Sequence, residues 1–202
     1  YRIPWAAFRD TVRELAPNAV ISVDVTQCFG RIELDCLDAD CIISSSYKWL
    51  LGIHGGCVIA IPQTSAERLT TFAGGWYHIE NAFDADRFER VQPFAGAPSF
   101  SVGMPNFAAI YAMREGMEYL QKVGIPQIAA HADGLVAEVH RQLAALGIQT
   151  MAPSQPENRA GIIAFQHSRD REIHDELLKE NIHVMHQAGR LRIAIHGYNQ
   201  ML

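Results

Sequence analysis

The stretch that decides the fold is residues 40–48, which read DCIISSSYK and end in Lys48. Its first half is almost entirely apolar, which is typical of a strand covered on both faces of a parallel sheet. A second β-branched run, residues 19–23, ends directly in Asp24. Because α/β proteins bind ligands at the carboxyl ends of their strands, both polar residues lie where a site is expected. The sequence therefore predicts an α/β sheet with an amine and a carboxylate at one edge.

Apolar spacing extends this prediction over the first part of the chain. Residues 5–15 have the period of an opening helix, residues 57–61 form a third strand-like run, and residues 105–119 have a strong helical pattern. Residues 71–101 are rich in Gly, Pro and aromatic side chains without a sustained period, which predicts a long loop that binds a ligand or a partner. We assign residues 1–122 to one large domain.

The last third of the chain alternates short apolar runs with helical patterns. A helix face is predicted up to Leu146, and a second helix is predicted near residues 169–180. Strand-like runs cover residues 148–151, 161–165, 182–185 and 191–195. This alternation predicts a small C-terminal α/β domain that, with its linking helix, covers residues 123–202.

Composition excludes several classes of partner. The 202 residues have a formal net charge of -5, and the 17 Lys and Arg are dispersed, so no basic stripe is available for nucleic acid. No apolar run reaches the roughly 20 residues of a membrane-spanning helix. The four cysteines lack C-x-x-C spacing, which favours reduced thiols and a cytoplasmic location over a metal site or disulfides. We predict no bound metal.

The candidate site carries the groups that pyridoxal 5'-phosphate (PLP) requires. A lysine such as Lys48 can form a Schiff base with this aldehyde, and a carboxylate such as Asp24 keeps the pyridine nitrogen protonated. Gln27 can donate an amide hydrogen bond to the phenolic oxygen from the same turn. Ser45 and Ser46 can donate to the phosphate, although serines at strand ends are common. Together these residues indicate a PLP site at the strand edge.

These residues and their spacing resemble the signature of the class V aminotransferase family of fold-type I PLP-dependent enzymes. The family pattern runs Asp, two residues, Gln, then Ser-x-His-Lys. The resemblance implies that Lys48 is the catalytic Schiff-base lysine, Asp24 the pyridinium partner, Gln27 the partner of the phenolic oxygen and Ser45 a phosphate ligand. It also places Tyr47 among the cofactor-binding residues. The expected fold is the mostly parallel sheet of an incomplete large domain followed by the small domain.

The resemblance continues near the C-terminus and names a substrate residue. Arg192, followed by Tyr198-Asn199, is similar to the family's segment whose Arg holds the α-carboxylate of an amino-acid substrate. A guanidinium suits this task because its planar fork makes two parallel hydrogen bonds to a carboxylate. Arg190 lies two positions earlier, on the same strand face, and is the rival for this role.

Three departures from the family pattern separate this chain from some relatives. Tyr47 replaces the His that often precedes the lysine. Residues 103–106 read GMPN where the family has Gly-Thr-Pro-Asn, so Met104 has no hydroxyl for a phosphate in the other subunit, and Ser101 is a possible substitute. Residues 183–190 contain no Cys, although cysteine desulfurases use a thiolate shortly before the carboxylate-binding Arg. Desulfuration through a thiol is therefore disfavoured.

We expect a PLP-dependent enzyme that acts on an amino acid, as an aminotransferase or a lyase. The resemblance also implies a homodimer and relatives about twice as long, so we expect this chain to be a fragment. One alternative is a degenerate homologue or fragment that acts as a non-catalytic binding or scaffold module. Another is a Rossmann-type nucleotide binder, which lacks support because no G-x-G-x-x-G follows a strand.

Overall fold

A computed structural model of the chain describes residues 2–153 and 155–201. The chain divides into two units, one formed by Trp5–Gly124 and the other by residues 2–4 with the described part of Ile125–Leu202. Each unit contains one three-stranded sheet, and each has its own cluster of buried apolar side chains. Within the described ranges, none of the helices is both long and apolar enough to cross a membrane.

The first unit is built around a mixed sheet in the order β1-β2-β3. Strand β1 runs parallel to β2, and β2 pairs antiparallel with β3. Because β1 and β2 are parallel, their carboxyl ends meet at one edge of the sheet. Its elements are α1 (Trp5–Leu15), β1 (Ser22–Asp24), β2 (Cys41–Ser45), β3 (Cys57–Ala60) and α2 (Phe107–Val123).

Helix α2 begins close to its predicted start and extends four residues past its predicted end at residue 119, to Val123. The Asn106 side chain accepts a hydrogen bond from the Ala109 N–H, which satisfies a free donor of the first turn. Gly124 follows the last turn with a φ of 93°, a conformation that glycine adopts without steric cost. Between β3 and α2 every residue is described, and residues 61–106 contain 3₁₀ turns but no strand and no α-helix.

The buried carboxylate of Asp40 joins three parts of the first unit. It accepts hydrogen bonds from the Ile21 N–H at 2.8 Å, from the Arg13 guanidinium at 2.7 Å and from the Ser65 hydroxyl at 2.9 Å. Burial by itself raises the pKa of Asp40, but these hydrogen bonds and the Arg13 charge outweigh it and hold the pKa below its ordinary value. Asp40 is therefore an anionic anchor just before β2.

The second unit contains an antiparallel sheet in the order β4-β6-β5. Apolar residues on one face of the sheet and on α3 form its core, which consists of Leu135, Val136, Leu143, Ile163, Phe165, Leu191 and Ile195. Its elements are α3 (Ile125–Ala145), β4 (Ile162–Phe165), α4 (Asp170–Lys179), β5 (Met185–Gln187) and β6 (Arg190–Ala194).

Three strand predictions differ from the structure in detail. The predicted run at residues 182–185 is displaced, since strand β5 is Met185–Gln187. Residues 148–151 form no strand: β4 pairs with β6 along one edge, and along its other edge Thr150 makes an isolated bridge to Phe165 and the Met151 N–H donates to the Ala164 carbonyl at 2.7 Å. In β2, which was expected to be covered on both faces, Ile43 remains 39% exposed. The described part of the first unit has no element that covers this side chain fully.

Asp40→Asn should lower the free energy of unfolding at pH 7 by roughly 1–3 kcal/mol, because a neutral amide cannot serve three buried donors as a carboxylate does. The folded pKa of Asp40 is depressed, so its stabilisation is present above the unfolded-state pKa of about 3.9 and is lost as pH falls through the lower folded pKa. The wild-type chain should thus lose stability in acid more steeply than the variant.

Urea unfolding at pH 7 and across the acid range measures both effects. Glu33→Gln removes a carboxylate from an exposed side chain and should change stability by less than about 0.5 kcal/mol. If the free energy of unfolding falls with pH in the same way in wild type and Asp40→Asn, Asp40 is not the anchor.

Candidate active site

The parallel pair β1 and β2 brings the predicted residues to one edge of the sheet. Asp24 is the last residue of β1 and pairs with Ile43, and the next N–H, from Val25, donates to the Ile43 carbonyl at 2.8 Å. The side chain of Thr26, the residue after Val25, accepts a hydrogen bond at 2.9 Å from the N–H of Ser45, the last residue of β2. The chain therefore leaves both strands at the same point.

Asp24 is an exposed carboxylate whose charge is stabilised by its surroundings. Its pKa lies below its ordinary value because the Thr26 hydroxyl and the Thr26 N–H donate hydrogen bonds to it, and the Lys48 charge adds to their effect against partial desolvation. The N–H bond, to Oδ1, measures 2.8 Å. Asp24 is therefore ionised at neutral pH, as a partner for a pyridinium must be.

Lys48 lies close enough to Asp24 for its positive charge to lower the pKa of that carboxyl. Its side chain is half-buried, and Nζ lies 5.9 Å from the centre of the Tyr47 ring. The structure thus brings together the two residues on which the predicted chemistry depends.

A compact loop over residues 46–56 carries Lys48. The Ser46 side chain is completely buried, and its Oγ lies 2.6 Å from the Ile53 carbonyl and 2.9 Å from the Gly56 carbonyl. The Ser46 carbonyl in turn accepts from the Gly52 N–H at 2.8 Å. The Ser46 hydroxyl therefore serves to close this loop, which leaves Ser45 as the predicted phosphate ligand with a partly exposed side chain.

Two glycines hold the backbone that follows Lys48. A Cβ on Gly30, which has a φ of 93°, would lie 2.6 Å from the Trp49 carbonyl oxygen, and a Cβ on Gly116 would lie 2.2 Å from the Leu50 carbonyl oxygen. Both distances are far shorter than a van der Waals contact allows. Because Trp49 and Leu50 are themselves buried, the segment after Lys48 is fixed from both sides.

The side chain of Tyr47 forms a stack that the sequence did not indicate. Its ring is 43% exposed and lies against the imidazole of His54, with 4.1 Å between ring centres and 20° between ring planes. An imidazole therefore lies next to the position at which many relatives have His, although it comes from the other end of the loop. The nine histidines are scattered along the sequence, so His54 was expected to be a surface or core residue and not a ligand.

Three other predicted residues occupy exposed positions in the first unit. Gln27 follows the strand-end turn with its side chain in solvent. Met104 and Ser101 are both exposed, and the Tyr77 hydroxyl lies 3.8 Å from the Met104 sulfur. The groups of three or more His, Cys, Asp or Glu that a metal would need do not occur among the residues that the structure describes.

The two candidate arginines lie in the second unit, on β6. Leu191 between them is buried and pairs with Phe165, so Arg190 and Arg192 share the opposite face of the sheet. Arg190 is exposed and Arg192 is half-buried. The Nε of Arg192 is buried and has no hydrogen-bond partner within residues 2–153 and 155–201. Buried donors are normally satisfied, so this Nε departs from the usual pattern.

Comparison with known proteins gives one family. The sequence model described as "Aminotransferase class-V" matches residues 2–193. An uncharacterized aminotransferase of Bacillus subtilis is 27% identical over 208 residues, which cover 98% of this chain and 54% of the relative. A probable cysteine desulfurase of Pyrococcus abyssi is 26% identical over 150 residues, covering 73% of this chain and 36% of the relative. The chain thus spans about half of the first relative and about a third of the second.

Solved structures give the same fold. A lysine-to-alanine variant of C-DES, with glycine covalently linked to its PLP cofactor, superposes with a TM-score of 0.82 at 21% identity, over 96% of this chain and 52% of that one. The cysteine desulfurase CsdA of Escherichia coli gives a TM-score of 0.80 at 18% identity, over 98% of this chain and 51% of that one. These likenesses confirm the predicted fold class, an incomplete fold-type I α/β chain.

Gly116→Ala should destabilise the protein by about 1–3 kcal/mol, because the added methyl collides with the backbone that follows Lys48. This cost exceeds the roughly 1 kcal/mol that alanine contributes to an exposed helix interior. Gly134→Ala is the matched control, since a Cβ there meets no atom within 4 Å and should stabilise by up to about 1 kcal/mol. Urea unfolding followed by circular dichroism compares them, and equal effects would refute the close packing at Gly116.

Proposed function

The chain belongs to the aminotransferase class-V family, and from this membership we propose that its protein is a PLP-dependent enzyme that acts on an amino acid, as an aminotransferase or a lyase. The observation that carries the proposal is the juxtaposition of ionised Asp24 and Lys48 at the carboxyl edge of β1 and β2. The name of the first relative and the PLP that C-DES carries also support it.

The residues at the strand edge fit the cofactor that the family uses. PLP, when bound, supplies an electron sink for the substrate's reacting carbon. Asp24 would hold the proton on the pyridine nitrogen, because its carboxylate is exposed and ionised. Gln27 would donate to the phenolic oxygen, and Ser45 to the phosphate. Tyr47, stacked on His54, would line the site beside the lysine.

Lys48 has two roles in this proposal. It would hold the cofactor covalently, and its amine would move the proton at Cα of the substrate. Its position suits both tasks, since a half-buried amine on a fixed loop is held near the cofactor and can still exchange protons. The rigid backbone on either side of it keeps the amine in place between these steps.

Arg192 would bind the α-carboxylate of the substrate. Its side chain is half-buried and keeps an unsatisfied Nε, whereas Arg190 on the same face is exposed to water. A guanidinium that is partly desolvated binds a carboxylate more strongly than one in solvent, because the local dielectric screens the pair less. This difference favours Arg192 over Arg190.

The segment that contains β5 favours transamination or elimination over desulfuration. Residues 183–190 contain no Cys, so the sequence offers no thiolate shortly before Arg192. A homodimer and a cytoplasmic location belong to the same proposal, and the four free cysteines accord with the latter. The replacements Tyr47 and Met104 motivate a second candidate, a homologue that binds PLP without turnover.

Lys48→Ala should abolish the long-wavelength absorbance band that PLP gains when it attaches to a lysine. The measurement is a spectrum of the full-length protein incubated with PLP and then freed of excess cofactor. Lys122→Ala removes an exposed lysine of α2 and should leave the band intact. A wild-type spectrum identical to that of Lys48→Ala would dispose of the proposed cofactor chemistry.

Arg192→Gln should raise the apparent Kd for the amino acid that perturbs the bound PLP spectrum by roughly 100-fold, because the substrate loses a bidentate, charge-assisted partner. Arg190→Gln should change it by less than about threefold. Titration of wild type and both variants with a panel of α-amino acids measures this. The reverse order would assign the role to Arg190, and a wild-type band that no amino acid perturbs would favour the non-catalytic homologue.

A further inference from the structure

The side chain of Thr26 connects the two strand ends of the candidate site. It is only 7% exposed, and its Oγ1 accepts a hydrogen bond at 2.9 Å from the Ser45 N–H. The same hydroxyl helps to hold the pKa of the Asp24 carboxyl below its ordinary value. The Thr26 N–H donates to Asp24 Oδ1 at 2.8 Å. Thr26 therefore contacts the residue that ends β1 and the residue that ends β2.

The direction of these hydrogen bonds follows from the chemistry of a hydroxyl group. A hydroxyl has one proton to donate and two lone pairs to accept. Because the Ser45 N–H can only donate, it occupies a lone pair of Oγ1 and leaves the hydroxyl proton for another acceptor. An ionised carboxylate can only accept. The hydroxyl proton of Thr26 is thus available to the ionised Asp24, and the Ser45–Thr26 and Thr26–Asp24 hydrogen bonds link the β2 backbone to the carboxylate through this one residue.

The shape of threonine makes this link rigid. A β-branched side chain has a restricted choice of χ1 rotamers, and burial restricts it further. A carboxylate held by two donors from one rigid residue has its orientation defined without help from a ligand.

We propose that Thr26 is a positioning residue of the PLP site, which ties the orientation of the Asp24 carboxylate to the end of β2, the strand that leads to Lys48. This role rests on the proposed function, since it concerns the carboxylate that would hold the pyridine nitrogen. Thr26 itself touches neither cofactor nor substrate in this assignment and acts through Asp24.

The charged and titratable groups around Asp24 allow its titration to be interpreted. Lys48 is the cation that acts on it, and its effect is smaller than that of the Thr26 hydrogen bonds. Cys28 lies on the next turn, and burial raises the pKa of its thiol to about 11, so it stays neutral while Asp24 titrates. Removal of the hydroxyl at position 26 should therefore raise the pKa of Asp24 by removing the largest of the lowering effects.

Thr26→Val is the variant that tests the role, because valine keeps the shape and loses the hydroxyl. It should weaken PLP binding by roughly 10-fold to 100-fold, as expected for the loss of a hydrogen bond to a charged group. Thr26→Ser keeps the hydroxyl and should restore affinity to within about threefold of wild type. PLP affinity is measured on the full-length protein by adding PLP stepwise and following the absorbance band that depends on Lys48.

A second measurement needs neither cofactor nor activity. The pH titration of the Asp24 carboxyl carbon, followed by NMR in the cofactor-free protein, should give a pKa below the ordinary value for wild type and Thr26→Ser and a higher pKa for Thr26→Val. A purely structural role would lower thermal stability without this change. If Thr26→Val does not fold, the wild-type titration still decides, because an Asp24 pKa at its ordinary value overturns the role.

The outcomes separate this inference from the proposed function. If Thr26→Val binds PLP as tightly as wild type, gives the same Asp24 pKa and keeps the Lys48-dependent band, the role of Thr26 is overturned. The proposed function would still stand. Absence of that band from the wild-type protein would remove the proposed function and this role with it.

Discussion

The parallel register of β1 and β2 is the constraint on which the rest of the site depends. It is fixed at both ends by a side chain that bonds the backbone of the neighbouring segment. At the amino end, Asp40 accepts from the Ile21 N–H, and at the carboxyl end, Thr26 accepts from the Ser45 N–H. A slip of one residue would turn every side chain of the strand to the other face of the sheet. The two polar anchors therefore determine which residues reach the ligand edge.

Small local contacts also fix the loop that carries Lys48. The amine has to be placed to within a fraction of an ångström for covalent chemistry, yet it lies on irregular backbone. The structure compensates with a fully buried Ser46 hydroxyl and with glycines at positions 30 and 116, where no side chain fits. These residues contribute rigidity to the site although none of them can reach a ligand.

The sequence indicated the candidate residues that follow the strands, but it did not indicate the residues that support them. Asp24 and Lys48 could be placed because each follows a strand-like run, and strand ends in α/β sheets meet at one edge. Thr26 and His54 could not, because their roles depend on partners brought near by folding: Thr26 bonds a residue 19 positions away, and the His54 ring stacks across a loop. Residues 148–151 were predicted as a strand for a related reason, since local propensity gives no information about how much of a run pairs with its neighbour, and here only Thr150 makes a bridge, to Phe165.

The proposed function draws on two units that are built independently. All the residues assigned to the cofactor lie in Trp5–Gly124, whereas Arg192 lies in the second unit, on a sheet with its own core. Because each core is separate, the Asp24 carboxylate and the Arg192 guanidinium owe their positions to different sets of packing contacts. Under the proposed function, cofactor binding and amino-acid recognition would thus be properties of different parts of the chain, so substitutions that weaken one need not weaken the other. The same separation would let the unit that carries Arg192 change while the anchors of β1 and β2 stay in place, because function depends on sites that a fold carries and not on the fold itself.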